Sequence, residues 1–140
     1  MVTNYSVSDM WSRYSEYAAM ANKLGQSTQS VIEASGLYYQ QGLDTVEVME
    51  LTEETMKLAT LAGLDFKDAT AQMTAALRGF KLEMSEGERV TDVYAEVAAH
   101  AAATVNDLSQ AMSATSNIAH SAGMSFENTT AMLATMIEAT

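Results

Sequence analysis

Cysteine and proline are both absent from the 140 residues. Without cysteine the chain has no disulfide, no thiolate metal site and no cysteine nucleophile, and it suits a reducing compartment. Without proline, which costs about 3 kcal/mol inside a helix, nothing interrupts a helical reading. Basic residues are scarce: seven Lys and Arg face eighteen Asp and Glu, a formal charge of −11. The chain therefore lacks a basic surface to neutralise phosphates, which argues against direct nucleic-acid binding and against an anionic membrane surface. Long hydrophobic runs are missing as well. The longest small-apolar stretch, Val97 to Val105, is broken by His100 and Thr104 and falls short of the roughly 18 apolar residues a membrane-spanning helix needs. Met1 to Asn4 carry neither a basic segment nor an apolar run, so no leader peptide and a soluble chain are expected. Alternating β-branched runs are lacking, and no strand is predicted.

What the sequence does contain is helical. Apolar residues make up 48%, enough for one domain with its own core and too many for a disordered chain. Alanine is the commonest residue. Apolar positions step by three or four in seven sets. The first holds Val7, Met10, Trp11, Tyr14, Tyr17, Ala18, Ala21 and Leu24. The second holds Val31, Ser35 and Tyr38, with Ile32 and Tyr39 beside them. The third holds Val48, Leu51, Leu58 and Ala62, flanked by Met49 and Met56. The fourth holds Phe66, Ala69, Met73, Ala76, Leu77 and Phe80, and the fifth Val90, Val93, Tyr94, Val97, Ala98 and Ala101. The sixth holds Val105, Leu108, Met112, Thr115, Ala119 and Ala122, and the seventh Phe126, Thr129, Leu133, Met136 and Ile137. Between them recurs one punctuation: Gly25-Gln26-Ser27, Gly42-Leu43-Asp44, Gly63-Leu64-Asp65 and Gly123-Met124-Ser125. Glycine can close a helix in the left-handed conformation, and Ser or Asp can cap the next one. Thr104 with Asp107 reads as a further N-cap pair, and Met84 to Arg89 as the one looser connection. The predicted fold is all-α: a compact bundle of about seven helices with tight corners.

An internal repeat is visible. Ala62-Gly63-Leu64-Asp65-Phe66 matches Ala122-Gly123-Met124-Ser125-Phe126, and Phe66, Ala69, Met73, Ala76 and Leu77 map onto Phe126, Thr129, Leu133, Met136 and Ile137. Repetition at a fixed offset points to two similar helical units that pack together, with Phe66 and Phe126 as buried anchors. Residues 1–140 are expected to form a single helical domain, with 5–83 and 88–140 as possible sub-units. The last stripe still runs at Ile137, and Glu138-Ala139-Thr140 carry no stop signal, so a longer parent protein is expected.

Four groups could carry chemistry, and each has a plainer explanation. Asp92, Glu96 and His100 form one line of a helix that could offer ligands to a metal, but one helix supplies only part of a coordination shell. A solvated helix surface is the simpler reading. His120, near Ser116 and Ser121, lacks an oxyanion hole and a strained nucleophile turn; a histidine before a Gly corner suits the negative end of a helix. Glu47, Glu50, Glu53 and Glu54 put four carboxylates within two turns, where a glycosidase needs a pair with one member desolvated; these read as an open acidic face, partly answered by Lys57 four residues beyond Glu53. From Val90 to Thr140 there is no Lys or Arg at all, while Asp92, Glu96, Asp107, Glu127 and Glu138 remain. That asymmetry serves either a basic partner or solubility. The eleven Met read as core rather than as an adaptable groove, and Trp11 with Tyr14 and Tyr17 as the anchor of the first helix. No catalytic, cofactor-binding or metal-ligating residue is assigned, and the chain is not expected to be an enzyme.

Tyr38-Tyr39-Gln40-Gln41-Gly42-Leu43, followed by Val46 to Leu51, Thr52 and Leu58-Ala59, resembles the core region of phage tail tape measure proteins. So does Thr91-Asp92-Val93-Tyr94-Ala95-Glu96-Val97-Ala98, followed by Asp107-Leu108 and Ala111-Met112. The corner Ile118-Ala119-His120-Ser121-Ala122-Gly123-Met124-Ser125-Phe126-Glu127 is similar to that family's helix-Gly-helix repeat. The resemblance covers Tyr5 to Thr140. It implies a structural protein, made in the bacterial cytoplasm and packed in the lumen of the tail tube in several copies. It further implies that chain length templates tail length, and that the protein leaves the tube ahead of the DNA. Implied partners are other copies, tail tube, tail-tip and tail-assembly chaperone proteins. The Gly corners fold this stretch back on itself, so it is expected to be a compact domain rather than the ruler. Two other readings stay open on the residues: a helical interaction or oligomerisation module of a non-viral protein, and an accessory domain of a cell-wall hydrolase whose catalytic domain lies elsewhere.

Overall fold

Helices in this chain end and begin within a few residues, and the residues responsible are those the sequence punctuation marks. In the computed structural model, which describes residues 14–140, Gly63 closes one helix at φ 70° and Gly123 another at φ 84°. That left-handed backbone costs a residue with a side chain about 1 kcal/mol or more, and glycine almost nothing. The chain then reaches back: Leu64 N–H donates to the Ala59 carbonyl at 2.9 Å, and Met124 N–H to the Ala119 carbonyl at 3.0 Å. Asp65 and Ser125 next accept the amides of Asp68 and Asn128 at 2.8 and 3.0 Å. Each corner thus satisfies carbonyls of the outgoing helix and amides of the incoming one. The corners at Gly25 and Gly42 share the left-handed glycine and the capping Ser27 or Asp44.

Seven α-helices result among the described residues: α1 (Tyr14–Leu24), α2 (Thr28–Gln40), α3 (Thr45–Ala62), α4 (Phe66–Gly79), α5 (Gly87–Ala99), α6 (Val105–Ser121) and α7 (Phe126–Glu138). A short 3-10 turn, Met84–Glu86, leads into α5, and no strand occurs among these residues. The expected all-α bundle is the observed one. Thr104 caps α6 as its spacing predicts: its hydroxyl accepts the Asp107 amide at 3.0 Å, and the Asp107 carboxylate accepts the Thr104 amide at 3.2 Å. Val7, Met10 and Trp11 of the first stripe lie outside the described residues, as do the side chains of Tyr14 and Leu24.

The connection after α4 is tighter than expected. Lys81 adopts the left-handed conformation at φ 54°, Leu82 N–H donates to the Leu77 carbonyl at 2.8 Å, and Glu83 N–H donates to the Glu86 carboxylate at 3.0 Å. Lys81-Leu82-Glu83 stands where Gly-x-Asp stands elsewhere, and α5 starts at Gly87, ahead of Val90. Lys81→Gly should therefore raise stability by about 0.5–1 kcal/mol, read as a higher urea midpoint. A lower midpoint would count against the strained corner.

α3 occupies the centre, packed against α1, α2, α4, α5 and α6. That enclosure buries Thr52, Glu54 and Thr55 as well as Val48, Leu51 and Leu58, where the apolar spacing predicts a single buried face. The buried hydroxyls find partners: Ser35 meets Thr52 at 3.2 Å and Tyr38 meets Thr55 at 2.5 Å. Burial pushes the Tyr38 phenol up to about 12 against the opposing pull of the Thr55 hydrogen bond. The Tyr94 hydroxyl, also buried, has no hydrogen-bond partner among the described residues, and burial raises its pKa. An orphaned buried hydroxyl costs about 1–3 kcal/mol, so Tyr94→Phe should stabilise the fold by about 1 kcal/mol in thermal or urea unfolding. A loss of stability would reveal a partner for that oxygen.

One core runs from Tyr38 in α2 to Ala134 in α7. A smaller cluster gathers Tyr17, Ala21, Val31, Ala34 and Met56, and fully buried Tyr17 anchors α1 there. The duplicated corners lead into unequal surroundings. Phe126 is 1% exposed in the large core, whereas Phe66 is half-buried at the rim of the small one. Ala76 is buried where its counterpart Met136 is 57% exposed. α4 is covered by α2, α3, α5 and α6, while α7 packs mainly on α5 and α6. The expectation of a buried Met136 is corrected on that ground; Phe66 is only half-buried because it opens α4 at the rim of the small cluster, and Ala122, in the corner before α7, is exposed.

Candidate functional site

The candidate chemical groups of the sequence sit apart from one another. Asp92, Glu96 and His100 lie on the solvent side of α5, and His100 places Nδ1 at 2.9 Å from the Glu96 carbonyl of its own helix. No group of three or more His, Asp or Glu able to hold a metal ion occurs among the described residues. His120 is half-buried with its ring edge-on to Phe80, centroids 5.9 Å apart. The Ser116 hydroxyl donates instead to the Ala75 carbonyl of α4 at 3.3 Å, so the structure does not join these residues into a nucleophile and base. Met56, Met73 and Met112 are fully buried in the cores, whereas Met132 and Met136 on sparsely covered α7 are exposed, which corrects the reading of all the methionines as core.

The acidic face of α3 is not uniformly open. Glu47 completes the capping box with Asp44, and Glu50 is exposed. Glu53 pairs with Lys23 of α1 at 2.8 Å, and Lys57 pairs with Glu54 at 3.1 Å rather than with Glu53. Glu54 is buried, with one carboxylate oxygen lacking a partner among the described residues. Its side chain lies against Gly87, where an added Cβ would come within 2.8 Å of Leu51 Cδ1 and 3.5 Å of Glu54 Cβ. Burial raises the Glu54 pKa, with Lys57 opposing and Glu88 and Glu53 adding to the rise. Four Glu in eight residues suggest an exposed face, and only the packing of α5 over α3 reveals the exception.

Sequence reasoning also missed the ion pair that joins α5 to α7. Arg89 donates from Nε to Glu127 Oε2 at 2.6 Å and from Nη2 to Oε1 at 2.8 Å, while Nη1 reaches Glu86 Oε1 at 2.8 Å. The Arg89 guanidinium holds the Glu127 carboxyl below the usual carboxylate range. Acidification therefore acts with two signs. As pH falls through the carboxylate range, the fold loses what ionised Glu127 contributes, while protonation of Glu54 relieves a buried charge.

Surface relief is concentrated around α5. An open groove of about 760 Å³ is lined by Asp92, Val93, Ala95, Glu96, Val97 and Glu127. On the other side of α5, a groove of about 410 Å³ is lined by Lys23, Lys57, Thr60, Leu61, Thr91, Asp92 and Ala95. Both mix apolar and charged side chains and carry the shape of an open contact surface rather than an enclosed reaction chamber. Among the described residues no helix is long and apolar enough to cross a membrane.

Comparison with known proteins bears on what such a bundle is for. Residues 18–140 match the family model described as phage-related minor tail protein. A tape measure protein of Pneumococcus phage Dp-1 is 34% identical over 98 residues, covering 70% of this chain and 8% of that protein. The chain thus spans a small part of the length of the relative it matches. No solved structure matches it.

Proposed function

Because this chain belongs to the family of phage-related minor tail proteins, structural components of the phage tail, we propose that it is a folded helical segment of a tape measure protein. The observation that carries this is the match through residues 18–140 together with the 34% identity to a protein of that name. A tape measure works because a helix rises 1.5 Å per residue, so chain length converts into distance. This segment uses its length differently: its helices run only 11 to 18 residues, and corners such as those at Gly25, Gly42, Gly63 and Gly123 fold the chain between them. Its role within the parent is to organise or dock at one point along the tube, beside other copies, tail tube or tail-tip proteins, while extended parts set the length. The assembled protein sits in the tube lumen and departs ahead of the DNA.

Mass spectrometry of virions from a phage encoding this chain tests the reading. Digestion should use a glutamate-specific protease, since residues 90–140 offer trypsin no site. Peptides of the chain are expected in intact virions and depleted from particles that have ejected their DNA. Their absence from intact virions contradicts the tail role, and full retention after ejection contradicts the tape measure role.

A further inference from the structure

α5 presents two rows of side chains at matching one-turn spacing. Asp92 and Glu96 form an acidic row on its exposed side, and half-buried Val93 and Val97 form an apolar row beside it. Both rows line the groove between α5 and the start of α7. The cations nearby are already engaged: Arg89 with Glu127 and Glu86, Lys23 with Glu53, and Lys57 with Glu54. Glu96 meets the His100 ring at 3.8 Å, a contact charged only on protonation. Residues 90–140 contain no Lys or Arg, so the chain's own second half supplies nothing to neutralise this face.

We propose that this groove receives a basic amphipathic helix of another protein. Side chains one turn apart on a helix stand about 5–6 Å from each other, so Lys or Arg at i and i+4 on the incoming helix match Asp92 and Glu96. Apolar residues on its adjoining face cover Val93 and Val97. A phosphate backbone or an anionic membrane is repelled by the same charge, and a second copy of this chain brings the same acidic face. The groove is short, so the contact belongs with small, transient interfaces below about 1,200 Å², and its rim charges make it sensitive to salt. Groove and charge carry this independently of the tail role, and a failed titration leaves the family assignment standing.

The test is an NMR titration of the 140-residue chain with a synthetic peptide of Leu and Lys at helical spacing, beside a counterpart with Glu in place of Lys. Saturable shifts confined to Val93, Val97 and their neighbours are expected with the basic peptide alone, weakening as salt rises. The double variant Asp92→Asn, Glu96→Gln should lower affinity about tenfold. The control pair Glu33→Gln, Glu50→Gln, on exposed positions elsewhere, should leave it unchanged. Absence of saturable binding, shifts spread over the whole acidic surface, or equal weakening by both pairs each overturns the proposal.

Discussion

Gly79→Ala is expected to lower stability by about 2–3 kcal/mol, although alanine is the better helix former by about 1 kcal/mol. A Cβ built on Gly79 would overlap the Ser116 hydroxyl and Cβ, and would lie 3.4 Å from the Asn117 backbone nitrogen. α4 and α6 approach so closely here that the side chain of one helix fills the space a methyl of the other would need. Ser116 cannot swing into water, because it is 3% exposed and its hydroxyl donates to the Ala75 carbonyl. Overpacking at such a contact costs about 1–3 kcal/mol and occasionally more, and the displaced hydroxyl forfeits about 1 kcal/mol of hydrogen bonding. Urea unfolding of Gly79→Ala should show a lower midpoint, and adding Ser116→Gly should recover part of it. An unchanged midpoint for the single variant would mean that the two helices separate freely.

Phe126→Ala is expected to cost about 3–5 kcal/mol. The ring is 1% exposed, stands edge-on to Phe80 at 5.6 Å and tilts against Tyr94 at 5.3 Å. Its removal opens a cavity at the junction of α4, α5 and α7 and forfeits both ring contacts. Phe66→Ala, at the equivalent position of the repeat, should cost only about 1–2 kcal/mol, because that ring is half-buried at the rim of the small cluster. Equal losses at the two positions would mean that the repeat extends to the packing, against the unequal burial of the two rings.

These two positions mark where the sequence can and cannot be read. Corners are local events: a left-handed glycine and a capping oxygen lie within three residues, so Gly63-Leu64-Asp65 declares itself without any tertiary knowledge. Lys81 performs the same turn without the glycine and is therefore silent in a pattern built on glycine. Burial is a collective property. Glu54 and Thr55 are enclosed because helices from both halves of the chain surround α3, and Met136 is exposed because α7 has few neighbours. An isolated Gly inside a helical pattern, as at Gly79, is the available hint that two backbones meet closely, but the partner Ser116 lies far along the chain. The acidic row of the candidate groove was visible in Asp92 and Glu96, while the pairing of Arg89 with Glu127, which leaves that row uncompensated, required the fold.

On the proposed function, this stretch is a folded part of a tail protein rather than a length of its ruler. Tail length by electron microscopy, in a phage whose gene lacks only these 140 codons, tests that most directly. Read as one continuous helix the deletion would remove about 210 Å, at 1.5 Å per residue. The folded bundle predicts tails of parental length to within a few tens of ångströms (on the order of one helix), or no tails where its docking is indispensable. Well-formed tails shortened by about 200 Å would contradict it.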